Sequence, residues 1–299
     1  MYFALKRITK SIESASEILF DDRSRIVIMS DCHRGDGDGR GDNFEKNQTI
    51  YYAAINHYYQ EGFTYIELGD GEELWEIAEM REIQEMYDHI YDLLAKFYNE
   101  GRLVMLYGNH DIVKRDPIYL KENYELYFPG IHVYESVKLR HRDTDDIIVL
   151  IHGHQADFLN SSLWRLARFL VRYLWRRLER LGIKDLTSAA KNYKVRMKVE
   201  RTLTRWAGRE NLILVAGHTH RPVFPLKEEE YYFNDGSCVH PNGITAIEIF
   251  RGSIALVKWS VKIRQDGTLY VGRDVLEGPD KLENFFERLR VRKKDKIHS

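Results

Sequence analysis

The chain has 299 residues, 43% of them hydrophobic and 30% charged, with a mean hydropathy of -0.48. That composition belongs to globular proteins and excludes wholesale disorder, and no apolar run approaches the ~18 residues of a membrane-crossing helix. The formal charge of -1 conceals a strongly basic segment balanced by an acidic remainder.

In chain order, the opening MYFALKRITKSIESASEILF carries charges throughout. It reads as neither a signal peptide nor an anchor. Aliphatic and charged segments then alternate, the pattern of an α/β protein. A first β run, residues 25–30, ends in Asp31-Cys32-His33 and is followed by a Gly- and Asp-rich loop, residues 34–42. Asp36, Asp38 and Asp42 suggest an EF-hand loop. Arg40 and Asn47 stand where oxygen ligands and a bidentate glutamate are needed, so the loop reads as an active-site flap. A helical segment 43–60 leads to the run 64–68, which ends in Gly69-Asp70. A second helical segment, 74–99, leads to the run 103–107, which ends in Gly108-Asn109-His110-Asp111. Runs 147–151 and 212–216 end in His152-Gly153-His154 and Gly217-His218-Thr219-His220. Between them lies a long helical stretch, 161–206, with thirteen Lys or Arg and three acidic residues. Residues 231–271 read as strands joined at Pro241-Asn242-Gly243, Arg251-Gly252 and Asp266-Gly267.

The strand ends carry the chemistry. Ligands of α/β sheets bind beyond the carboxyl ends of strands. Five such ends would bring together Asp31, His33, Asp70, Asn109, His152, His218 and His220. Each block alone is commonplace, since a Gly-Asp is often a turn and an Asn-His often a cap. Their conjunction in one order is what points to metal. Carboxylate, amide oxygen and imidazole suit Mn, Fe or Zn, with Mg a further candidate. Asp70 is the natural bridge between two cations, because Gly69 lets the backbone turn sharply before it.

The five blocks, in this order, resemble the calcineurin-like metallophosphoesterase superfamily, and Asn234-Asp235-Gly236-Ser237 resembles the turn that follows them in many members. The resemblance implies a four-layer αββα sandwich and two divalent cations, manganese being the first candidate. It implies one cation on Asp31, His33, Asp70 and His220, and the other on Asp70, Asn109, His152 and His218. It implies His110 as the catalytic histidine, oriented by Asp111, and a metal-bridging hydroxide as nucleophile. Gly69-Asp70-x-x-Glu73-x-Trp75, the run ending in Arg221-Pro222 and the helical insertion resemble, more narrowly, UDP-diacylglucosamine diphosphatases. Those enzymes cleave a pyrophosphate and hold acyl chains under a helical cap; this chain departs from them at His110, where they carry arginine.

The expected organisation is a single domain over residues 1–299 with a basic helical cap at 155–210. Within the cap, Arg165, Arg168, Arg172 and Arg176 recur at three- and four-residue spacing along one helical face. That stripe reads either as a solvated face or as a substrate-binding surface for phosphates, apolar tails or a membrane surface. Nucleic acid is not expected, since no stacking aromatics follow a known module. Cys32 and Cys238 offer no disulfide framework and suit a cytoplasmic setting, with peripheral contact at a membrane. Cys32 reads as a strand-end filler, His154 as a ligand neighbour or structural hydrogen-bonder, and Glu73 and Trp75 as buttresses of the bridging carboxylate. The expected activity is hydrolysis of a phosphodiester or pyrophosphate in a nucleotide-linked or amphiphilic molecule. Alternatives are a phosphomonoesterase, a phosphoprotein phosphatase or a non-catalytic scaffold.

Overall fold

The computed structural model describes residues 2–38, 42–157, 192–226 and 228–298. Arg165, Arg168, Arg172 and Arg176, with most of the expected cap, lie outside the described residues.

The chain runs α1 (Tyr2–Glu13), β1 (Ser16–Phe20), β2 (Arg25–Met29), α2 (Gln48–Gln60), β3 (Thr64–Leu68), α3 (Met80–Met86), α4 (Asp88–Asn99) and β4 (Leu103–Leu106). It continues through α5 (Pro117–Asn123), β5 (Val133–Tyr134), β6 (Ser136–His141), β7 (Ile147–Ile151), α6 (Tyr193–Glu210), β8 (Ile213–Ala216) and β9 (Tyr232–Asn234). It closes with β10 (Ile244–Phe250), β11 (Ser253–Ile263), β12 (Leu269–Lys281) and α7 (Leu282–His298). These strands form a seven-stranded sheet, β12-β11-β10-β2-β3-β4-β5, and a five-stranded sheet, β1-β6-β7-β8-β9.

Residue alternation along the strands explains how the layers stack. Ile26 and Ile28 of β2, with Ile66, Leu68 and Leu106, face Val137, Leu139, Ile148, Leu150, Ile213 and Val215 of the other sheet. Their neighbours Val27, Met29, Tyr65 and Met105 point the opposite way, into a core with Tyr51, Ala54 and Ile55 of α2 and Leu94 and Phe97 of α4. On the far side Val149, Ile151, Leu214 and Ala216 pack against Ile8 and Ile12 of α1 and Val199, Leu203 and Trp206 of α6. Helices, sheet, sheet and helices therefore make four layers, the α/β architecture expected. Parallel strands buried on both faces need continuous apolar runs, and for that reason β2, β3, β4, β7 and β8 were readable as such.

The register delivers the strand ends to one rim. Met29 lies beside Glu67 and Leu68 beside Leu106 in the larger sheet, and Leu150 beside Val215 in the smaller. One expectation fails here: residues 74–99 are not one helix. Helix begins only at Met80 and is interrupted at Tyr87. The chain before Met80 is held at the rim instead, with Glu73 N donating to Arg34 O at 3.0 Å. Among the described residues no helix is long and apolar enough to cross a membrane.

Candidate metal centre

The backbone at the rim is bent into conformations that residues with side chains seldom adopt. Nine non-glycine described residues have positive φ, and five of them are Asp31, His33, Asp70, His218 and His220, at 52°, 48°, 51°, 66° and 55°. Each such residue costs about 1–2 kcal/mol relative to ordinary backbone. Gly69, at φ 92°, serves the same bend. A Cβ there would stand 2.7 Å from Gly108 N and 2.8 Å from His152 Nδ1. Main-chain bonds then lace the strand ends together: Asp31 N to Gly69 O, 3.1 Å; His33 N to Asp70 O, 2.9 Å; Gly217 N to His152 O, 2.9 Å.

Side chains on these turns converge. Asp31 Oδ1 lies 3.0 Å from His220 Nε2, 3.6 Å from His33 Nε2 and 3.9 Å from His152 Nε2. Asp70 Oδ2 lies 3.1 Å from His152 Nε2 and 3.8 Å from His33 Nε2, between the two histidines. Asp31, His33 and His220 thus form one group with ligand-type atoms in mutual reach, and Asp70, His152 and His218 form a second. Asn109 is buried in the turn whose next amide, His110 N, donates to Asp70 Oδ1 at 2.8 Å.

The decisive detail is which atoms are left over. Asp31 Oδ1, Asn109 Oδ1, His152 Nε2 and His218 Nε2 are buried and make no aligned hydrogen bond. A buried polar atom without a partner costs roughly 1–3 kcal/mol. The opposite atoms are fully engaged. Asp31 Oδ2 accepts from Ser30 Oγ at 2.5 Å and His218 N at 2.8 Å. His152 Nδ1 lies 2.9 Å from Leu68 O, so it carries the proton and leaves Nε2 as a lone-pair donor. His33 Nδ1 meets Glu73 Oε2 at 2.8 Å, with the same consequence.

Electrostatics agree. Burial opposes ionisation of Asp31 and Asp70, yet the surrounding histidines hold both carboxyls well below the usual range. Burial likewise disfavours a charged His152, but Asp70 and Asp31 push it up to about 9. The carboxylates demand positive charge, and a divalent cation competes with the imidazole protons for that place. Burial, reinforced by His152 and His218, drives His154 well below the ordinary histidine range. His154 is thereby a neutral neighbour of the centre.

Two expected roles are corrected. Asp111 is not the partner of His110: its carboxylate accepts from Gly108 N at 2.6 Å, Gly71 N at 3.0 Å and Asp70 N at 3.3 Å. A carboxylate saturated by backbone amides on one side of the turn cannot also reach the imidazole. Glu73 takes that role, with Oε1 2.7 Å from His110 Nδ1. Glu73 therefore grips two imidazoles rather than the bridging carboxylate, and Trp75 stacks on His110 with ring centroids 4.3 Å apart. The spacing Asp70-x-x-Glu73 was a visible signal, but spacing does not disclose side-chain direction. Asp157, absent from the sequence reading, stands 3.8 Å from His218 Nε2. Cys32 is buried among the apolar side chains beneath α2, as a filler would be. The base of the 34–42 loop is closed by Asp42, which accepts from Gly35 N, Gly37 N, Phe44 N and Glu45 N.

Fold and site together define a class: a two-sheet α/β protein whose strand ends form a buried aspartate, asparagine and histidine centre suited to divalent cations. No family model matches the sequence, and no curated protein matches it. Among solved structures the chain is similar to Vps29 from Chaetomium thermophilum, with 11% identity, a TM-score of 0.38, and 86% of this chain and 97% of that one covered. It is also similar to a Staphylococcus aureus protein provisionally assigned as a 5'-nucleotidase and solved with alpha-ketoglutarate. There the identity is 15%, the TM-score 0.35, and the cover 91% of this chain and 58% of the other. Neither likeness bears on the chemistry, which rests on the side chains themselves.

Proposed function

We propose that this chain is a metal-dependent phosphoester hydrolase carrying two divalent cations, manganese first among the candidates. The observation that supports it best is the set of orphaned, buried ligand atoms on Asp31, Asn109, His152 and His218. In this reading Asp31, His33 and His220 hold one cation, Asn109, His152 and His218 the other, and Asp70 serves both. When bound, such a pair supplies Lewis acidity and lowers the pKa of a water towards neutrality.

The protein's own contribution centres on His110. Its side chain is 23% exposed while Glu73 is 8% exposed, so the imidazole reaches the rim with its partner beneath it. Burial opposes the charged form, but Glu73 and Asp70 raise His110 above the ordinary histidine range. A charged His110 Nε2–H can hold a phosphoryl oxygen or protonate the leaving oxygen. Glu73 engages Nδ1 and Trp75 stacks on the ring, which leaves Nε2 for this role.

The substrate we propose is a phosphodiester or pyrophosphate in a nucleotide-linked or amphiphilic molecule, with Arg165, Arg168, Arg172 and Arg176 of a basic cap attracting its phosphates. The described part of that stretch, α6, exposes Lys194, Lys198, Arg201, Arg205 and Arg209. The test is to load the protein with Mn2+, count metal per chain, and assay a phosphomonoester, a phosphodiester and a nucleotide pyrophosphate. Asp70→Asn and His218→Ala should lower metal content and abolish hydrolysis. Two metals per chain with intact turnover in either variant would overturn the site. Faster cleavage of the monoester would replace the substrate class alone.

A further inference from the structure

Directly behind the turns of the rim lies a second cluster, built around five buried charges. The side chains of Arg34, Glu67, Glu72, Asp111 and Lys114 have no solvent exposure. Arg34 Nη2 lies 2.7 Å from Glu67 Oε2 and 2.7 Å from Glu72 Oε1. Lys114 Nζ lies 2.7 Å from Asp111 Oδ2 and 3.6 Å from Glu67 Oε1, and also contacts Glu72 Oε2. Tyr91 completes the cluster by donating to Glu72 Oε1 at 2.8 Å.

Such a cluster is an inefficient source of stability. Burying ion pairs costs desolvation that well-packed apolar side chains of the same volume would avoid. The cluster also leaves no slack: a Cβ on Gly71 would fall 2.2 Å from Glu67 Oε1 and 2.6 Å from Arg34 Nη2. What the cluster does have is an output. Lys114 pairs with Asp111, and Asp111 holds the amides of Asp70, Gly71 and Gly108. Those amides flank Asp70 and Asn109, the side chains that face the cations in the reading above.

We propose that Lys114, neutralised in turn by Glu72, is a positioning residue that fixes Asp111 and through it the two turns that aim Asp70 and Asn109. The inference rests on the reading of the rim as a metal centre. Without Lys114 the buried Asp111 carboxylate loses its cationic partner while Glu72 keeps Arg34, and Asp111 is then free to shift, taking the amides with it. Arg34 and Glu67 anchor the far side of the cluster and do not contact Asp111.

The experiment compares wild type, the charge-balanced double variant Lys114→Met/Glu72→Gln, and Asp111→Asn, which preserves shape. Mn2+ affinity is measured by calorimetry, with circular dichroism confirming the fold. The double variant should bind Mn2+ about 10–100-fold more weakly, the scale for lost support of a ligand. Raising Mn2+ should recover part of its turnover on a chromogenic phosphodiester. Asp111→Asn should lose affinity in the same range, and supplies the answer should the double variant not fold. Affinity within twofold of wild type in either folded Lys114 or Asp111 variant would overturn the positioning role alone. A wild type that binds no Mn2+ would overturn the metal centre and this inference with it.

Discussion

Glu73→Gln is the most discriminating single substitution at the centre. Burial opposes its ionisation, but His110 and His33 hold the Glu73 carboxyl far below the usual glutamate range. It is therefore an acceptor on both oxygens, taking His33 Nδ1 at 2.8 Å and His110 Nδ1 at 2.7 Å. Glutamine keeps the shape but has one oxygen and one NH2, so it can satisfy only one imidazole and opposes the other donor to donor. A hydrogen bond to a charged group contributes about 1.5–3 kcal/mol, which corresponds to roughly 10–100-fold. Where that loss falls is itself informative. With the amide oxygen on His33, metal stays and turnover drops; with it on His110, Mn2+ affinity drops first. Calorimetric Mn2+ binding and phosphodiester turnover on the same preparation separate the two. Affinity and turnover both within twofold of wild type would refute the idea that Glu73 couples ligand and acid.

His110→Ala should keep Mn2+ near the wild-type level while turnover falls by about 10²–10⁴-fold, the range for a lost acid or charge-stabilising group. Loss of metal in that variant would make His110 a ligand. The buried cluster has a pH signature as well. Burial raises the Glu72 pKa, but Lys114 and Arg34 outweigh it and bring it from 4.5 to about 2. A depressed folded-state pKa contributes stability that is complete above the unfolded value and lost as pH falls through the folded one. The stability gap between wild type and Glu72→Gln should thus be constant above about 4.5 and shrink towards about 2. Urea melts across that window check it, and a gap that persists to the acid end would count against the pairing.

How much of this was legible in the sequence depends on what each element hides. Buried parallel strands such as β2 and β3 announce themselves, because both faces are apolar and the run ends abruptly in polar ligands. The strands β1 and β6 do not: Glu17 pairs with Arg140 across them, and their mixed faces look like loop sequence. Nor does the helix α7, which among its described side chains buries only Leu282, Phe285, Phe286 and Leu289 beside many charges. The convergence of the aspartates and histidines at the strand ends could be expected because type and order suffice to suggest it. The roles of Glu73 and Asp111 could not, since both follow a ligand turn at plausible spacing. Only three-dimensional direction separates a carboxylate that grips imidazoles from one that grips amides. The charged cluster was invisible for a related reason. Arg34, Glu67 and Lys114 lie far apart in the chain, and only the return of three strand ends to one place brings them together.

The left-handed aspartates and histidines of the rim say something about what this sequence has been selected to do. At φ 48–66°, glycine would relieve the bend at each of the five positions, and their combined strain, roughly 5–10 kcal/mol, rivals the whole stability of a domain. Glycine at the three histidines would release that strain, whereas at Asp31 and Asp70 it would also strip His218 N and His110 N of their acceptors. This chain writes aspartate and histidine, and leans on three hydrophobic cores and a lattice of main-chain bonds to keep them in place. Glycine at His33, His218 or His220 should accordingly stabilise the fold while removing a side chain that the proposed centre uses.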